Sequence, residues 1–306
     1  MKLEFLIPAS PTDEFCAQIA MFRHALDTLG GIYYQANLVA VFGDAIETQI
    51  PDRWQPYFKR RINICWVEQQ QFNRYSYFAQ GHERFLLCTD SADLVFMCDA
   101  DTCLIRPLTK LIAKLSAKPA IAGLIAHLPP IPGDESQTIK SWNTMAQQLI
   151  GKDLKFTYQY TLVDPKQTHR CPCYFNAGFV VGTPALLKSL HASFWEIFQA
   201  YQQQFPKQLF FAGQVSMCLA MEQLNLPFHE LSMRYNYPND ERADKLFPIE
   251  LENVVLMHYL REKLFDRRKI FTSERHFNAF LELDLSGSNK VFQSYISKIT
   301  DARYPF

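Results

Sequence analysis

The chain opens with a short apolar strand, an amphipathic helix and a second apolar strand, an order that few folds can accommodate. Leu3 to Pro8 is dense in large apolar side chains and reads as a buried strand. Ser10 reads as an N-cap, Pro11 as a first helical residue and Asp13 as a capping-box acid. Phe15, Ile19, Phe22, Leu26 and Leu29 recur at helical spacing, and Gly30-Gly31 stops that helix. Asn37 to Phe42 is the next strand and Ile62 to Val67 a third apolar run. Strands joined through a helix in this way form a parallel sheet by right-handed crossover. The alternation continues through a helical stretch at Tyr75–Leu87, a strand at Leu94–Cys98 and a helix opening at Arg106-Pro107. A strand at Ala120–Ala126, a loop at Pro129–Gly133 and a strand at Tyr174–Gly182 follow. Helices after Thr183-Pro184 and over Phe211–Leu224, strands near Phe228–Leu231 and Val254–Met257, and a helical tail complete the pattern. It predicts an α/β fold with a Rossmann-like, mostly parallel central sheet flanked by helices. We read a single domain over 1–260, with 261–306 a helical extension packed on it.

Lys plus Arg total 31 and Asp plus Glu total 31, so the net charge is zero. That balance argues against a nucleic-acid partner, which calls for a basic excess. No run approaches the roughly 20 apolar residues of a membrane span, and Pro8 interrupts the apolar N-terminus. The expectation is a cytoplasmic protein whose Cys residues are reduced. Cys171 and Cys173 stand closer than a usual zinc pair, with no second pair following, and read as buried thiols.

Asp99 and Asp101 lie where the Leu94–Cys98 strand ends, the edge at which open α/β sheets bind ligands. On extended chain, alternate residues point the same way, so both carboxylates face one site. Two close carboxylates repel unless a cation lies between them. A hard divalent ion, its shell completed by phosphate oxygens and water, suits them. The plainer reading is a pair of solvent-facing acids in a turn.

Phe96-Met97-Cys98-Asp99-Ala100-Asp101-Thr102-Cys103-Leu104 resembles the Asp-x-Asp motif of GT-A glycosyltransferases, most of all the glycogenin and bacterial lipopolysaccharide galactosyltransferase family. Arg84 on the preceding helix, Phe175-Asn176-Ala177-Gly178, Gln214, Arg234-Tyr235-Asn236 and Leu256-Met257-His258 follow that family's order over about residues 3 to 260. Its Asp before the Gln is replaced by Gly213. Its Gly and Lys-Pro-Trp after the His are replaced by Leu260-Arg261-Glu262-Lys263.

The resemblance implies a GT-A fold and transfer of a sugar from a nucleotide diphosphate sugar, with a UDP-sugar as the donor, to a glycan, lipid or protein acceptor. It makes Asp99, Asp101 and His258 ligands of Mn²⁺ or Mg²⁺. Imidazole favours manganese. It gives Asp101 and Gln214 catalytic parts, Gln214 lying near the anomeric carbon. Donor contacts fall to Pro8, Ala9 and Ser10 (base and ribose), to Asp99 and Ala100, to Arg84 (the Asp motif or a phosphate), and to Asn176 and Gly178 beneath the sugar. Asp240 and Glu241 are spare acids, either a base if the enzyme inverts. The loop from Pro129 to Ser136 is a lid or acceptor wall.

Arg261, Lys263, Arg267, Arg268 and Lys269 form a basic run. It serves the diphosphate, makes peripheral contact with anionic lipid, or is a solvated helix face balanced by Glu262 and Asp266. Two other functions compete. One is a haloacid-dehalogenase-type phosphatase, which wants Thr or Val where Cys103 stands. The other is a catalytically inactive nucleotide-sugar-binding protein.

Overall fold

The computed structural model describes residues 1–163, 169–207 and 210–306. Its strands in chain order are β1 (Leu3–Ala9), β2 (Asn37–Phe42), β3 (Asn63–Trp66), β4 (Leu94–Cys98), β5 (Thr102–Leu104), β6 (Ile121–Ile125), β7 (Tyr158–Gln159), β8 (Arg170–Cys171), β9 (Phe175–Gly182), β10 (Phe228–Glu230), β11 (Tyr237–Pro238) and β12 (Leu256–His258). Seven of them form one sheet in the order β10-β6-β9-β4-β1-β2-β3. All its pairings are parallel except the two made by β9, which runs against both β4 and β6.

Helices cover both faces, which is why β1 and β4 are apolar along nearly their whole length. Phe5 and Phe96 point to one face, where Phe5 stacks on Phe96 at 4.7 Å and meets Phe22 of the first helix at 5.6 Å. Leu6, Val95 and Met97 point to the other, against Val180, Leu187 and Phe198. Phe265, Phe277, Phe280 and Phe292 of the C-terminal stretch join the first of these two clusters. No helix among the described residues is long and apolar enough to cross a membrane. The eight cysteines are free, and burial pushes the thiols of Cys171 and Cys173 well up from their ordinary value.

Several local expectations shift. The first helix starts at Asp13 and is capped by Thr12, not Ser10; the Thr12 hydroxyl accepts from the Phe15 N–H. The Tyr75–Leu87 stretch is broken at Ser76, a non-glycine residue at φ 53°, into helices Gln69–Tyr75 and Phe78–Leu87. The Pro-rich loop ends at Gly133, because Asp134 caps a helix, Glu135–Ile150, that the sequence reading lacked. The basic run has no helix beneath it: residues 261–273 are irregular, and the next helix is Glu274–Leu281.

One added strand positions the site. The chain turns after Asp101 into β5, which pairs antiparallel with β12 and sets Thr102 opposite His258. Because β9 runs antiparallel to β4, its first residues meet the end of β4, and the Asp99 N–H donates to the Gly178 carbonyl at 2.9 Å. Chain segments far apart in sequence thus converge on the sheet edge that also ends β1.

Candidate active site

Asp99 and Asp101 do not lie on extended chain as anticipated. Ala100 and Asp101 form a tight turn, closed by the Thr102 hydroxyl donating to the Asp99 carbonyl at 2.7 Å. The turn still converges the two carboxylates. Asp99 faces outward, 38% exposed, while Asp101 turns in at 11%. His258 closes the third side. Its Nε2 is 3.2 Å from Asp101 Oδ1 and 3.9 Å from Asp99 Oδ2. One ligand atom from each residue lies within 4.8 Å of the others, the only such cluster among the described residues.

A buried relay fixes the imidazole. His258 Nδ1 lies 3.0 Å from Asn236 Oδ1. The Asn236 amide donates to Asn176 Oδ1 at 3.1 Å, and that oxygen also accepts the Gly178 N–H at 2.7 Å. An amide oxygen only accepts, so Nδ1 carries a proton, and in the neutral ring Nε2 keeps its lone pair toward the carboxylates. Burial lowers the His258 pKa below its ordinary 6.5; Asp99 works against this and Arg261 with it. The neutral ring this favours is the form that ligates metal. Two carboxylates and one such nitrogen make a donor set that fits a divalent ion. Asn236→Ala would leave the ring free to turn and should weaken Mn²⁺ binding about 10- to 100-fold, and it should lower the melting temperature by a few degrees, because the buried Nδ1–H loses its acceptor. Calorimetric Mn²⁺ titration checks this.

Gly178 and Asn176 both meet the imidazole or its relay. A Cβ on Gly178 would sit 2.5 Å from His258 Cε1, so the close approach made by the glycine is to the imidazole. Asn176 is the base of the relay. Arg84 stands beside the Asp motif, one of the two partners expected of it. It is buried, its Nη1 and Nη2 donate to the Cys98 and Ala177 carbonyls at 2.9 and 3.1 Å, and it stands 3.9 Å from Asp99. It ties β4 to β9 beneath the Asp motif and offers Asp99 a positive charge.

A cleft of about 480 Å³ opens beside this cluster. Pro8, Ala9 and Ser10 line it together with Asp99, Ala100 and Asp101. The sequence reading missed further lining residues: Glu14, Phe15 and Gln18 on the first helix, Gln80, and the exposed rings of Tyr77 and Phe210. Arg267 and Arg268 complete the wall. Glu14 and Gln18, one helical turn apart beside an apolar stripe, were the available sequence signal.

Gln214 is in the first turn of the helix Ala212–Leu224, as expected, but is not among the residues lining the cleft. Its Oε1 is buried with no protein partner. Asp240 is poorly suited as a base. Its burial works to raise the pKa, yet the Arg242 N–H and the Arg261 guanidinium bring it below the usual carboxylate value. It caps a helix and pairs with Arg261 at 2.9 Å. Glu241 pairs with Lys263.

A family model described as the Rhodobacterales glycosyltransferase domain matches residues 47–225. No curated protein matches the sequence. Among solved structures, the chain is similar to the galactosyltransferase LgtC in complex with donor and acceptor sugar analogs (TM-score 0.51, 13% identity, 95% of this chain and 99% of that one). It is also similar to mouse xyloside xylosyltransferase 1 in its apo form (TM-score 0.50, 10% identity, 85% of this chain and 98% of that one). A third is GlyE of Streptococcus pneumoniae TIGR4 (TM-score 0.53, 13% identity, 99% of this chain and 64% of that one). At these identities the likeness is one of fold.

Proposed function

The chain belongs to the Rhodobacterales glycosyltransferase domain family and carries the GT-A fold, and on that premise we propose that it moves a sugar from a UDP-sugar to an acceptor with a divalent ion held by Asp99, Asp101 and His258. The observation that carries the proposal is the convergence of those three side chains beside a cleft walled by Pro8–Ser10 and by Arg267 and Arg268. The family sets aside the phosphatase alternative. When bound, the ion would act as a Lewis acid that offsets the charge growing on the departing diphosphate. Manganese suits the imidazole in the set better than magnesium does.

The chain's own residues do the remaining work. Pro8, Ala9 and Ser10 receive the base and ribose, and the Tyr77 and Phe210 rings offer apolar faces to the donor. Asn176, Asn236 and Gly178 hold His258 in place, and Arg84 holds Asp99. Gln214 would have to turn its buried, unpartnered Oε1 toward the cleft to support the sugar as its bond to the diphosphate breaks; an amide is too weak a base to deprotonate an acceptor.

The test is incubation with a panel of sugar nucleotides and Mn²⁺ without acceptor. Slow UDP release from one UDP-sugar is the expected result. Release from none, with UDP still bound, would leave only the inactive binding protein. The pH response follows from His258. Protonation removes the ligand lone pair, and the folded pKa is below 6.5. Mn²⁺-dependent UDP binding should therefore hold down to that pH and fail only in more acid solution. Binding that follows an ordinary histidine titration would contradict the role of burial.

A further inference from the structure

Arg267 lies in the irregular stretch before the helix Glu274–Leu281, yet it is firmly placed. The buried Gln18 amide on the first helix donates to the Arg267 carbonyl at 3.2 Å, which anchors its backbone at the cleft. From there the side chain spans two acids. Nε donates to Glu262 Oε1 at 2.9 Å, and Nη1 makes an ion pair with Asp101 Oδ2. The side chain is 25% exposed, on the cleft wall. Asp101 thus presents one oxygen, Oδ1, to His258 and the other, Oδ2, to Arg267.

Two cations on one carboxylate weaken each other, because each reduces the negative potential the other meets. A diphosphate entering the same cleft adds negative charge and planar oxygen pairs that suit a guanidinium fork. We propose that Arg267 is an exchangeable counter-ion, competing with the divalent cation for Asp101 and turning to the diphosphate once the donor enters, so that metal and nucleotide bind cooperatively. The inference rests on the metal-dependent reading above. Its consequence is a coupling between two ligands that one side chain sets. Arg267 opposes metal alone and favours metal with nucleotide.

Calorimetric titration of Mn²⁺ alone, and then of UDP in saturating Mn²⁺, tests it on the full chain. Arg267→Ala should bind Mn²⁺ alone about tenfold more tightly and UDP about tenfold more weakly, the size of one charge-assisted contact in each direction. Arg267→Lys keeps the charge without the fork, and both affinities should lie between those of Arg267→Ala and the native chain. A change of the same sign in both affinities, as lost packing would give, overturns the inference; so does no change in either. A native chain that binds neither ligand removes the metal-dependent reading and this inference together. A native chain that binds both, with coupling unaltered by Arg267→Ala, removes this inference alone.

Discussion

Asp101→Ala is expected to lower kcat/KM for donor turnover by about a thousandfold or more, the scale of losing a catalytic metal and its charge stabilisation. Of the two carboxylates, Asp101 is the more deeply engaged: it faces His258 at 3.2 Å and pairs with Arg267, while the more exposed Asp99 pairs at 3.9 Å with Arg84 and His258. Asp99→Ala should follow it closely, since neither a single carboxylate nor the imidazole alone makes a hard-cation site. Stability should change little. Removing one acid relieves repulsion with the other, and this offsets the loss of an ion pair at the cleft edge. Donor hydrolysis rates and melting temperatures separate the two effects. A variant that keeps even a tenth of native turnover with its fold intact would place the chemistry elsewhere.

Gly178→Ala is expected to weaken metal binding about 10- to 100-fold, as loss of the group that orients a ligand does, and to destabilise the fold by about 2 kcal/mol through overpacking. The added methyl would meet His258 Cε1 at 2.5 Å, and Asn176 Oδ1 and His258 Nδ1 at 2.9 Å. Those atoms cannot retreat easily. The ring is buried and tied to Asn236, and the Asn176 oxygen already accepts two hydrogen bonds. Gly178 is not among the positive-φ glycines, so the cost is steric and not conformational. The double variant Gly178→Ala/His258→Ala should regain stability and bind metal no better than Gly178→Ala. If Gly178→Ala destabilises equally with or without His258, the clash lies with Asn176 instead.

How legible these features were in the sequence depends on the range of the interactions that fix them. β2 and β4 fall where the sequence placed them because each is a continuous apolar run with polar or glycine residues at its ends. The helix Glu135–Ile150 was hidden behind the Pro-rich loop, and the three residues of β5 are too few to show a period. Within the site, the Asp pair was legible because it ends an apolar strand. His258, Asn176 and Arg84 were legible as residues through the resemblance. The carbonyls that Arg84 binds and the partners of Asn176 were not, since β9 running antiparallel to β4 decides them. Asn236 stood in a matched motif without a role until β12 and β5 placed His258 opposite Thr102. Arg267 was legible as part of a basic run, but its pairing with Asp101 was not, because its position follows from an irregular backbone pinned by Gln18 and not from any local pattern.

The charge balance gains a local meaning from this arrangement. A neutral surface gives an anionic donor little long-range steering. Attraction has to come from a few places: a cation that Asp99, Asp101 and His258 would hold, and the guanidinium groups of Arg267 and Arg268 on the cleft wall.

The most direct test of the account is calorimetric binding of UDP to the native chain with and without Mn²⁺, repeated on Asp99→Ala/Asp101→Ala. The account predicts tight binding only with Mn²⁺ in the native chain and none in the double variant. UDP binding that ignores the metal and survives the loss of both carboxylates would contradict it.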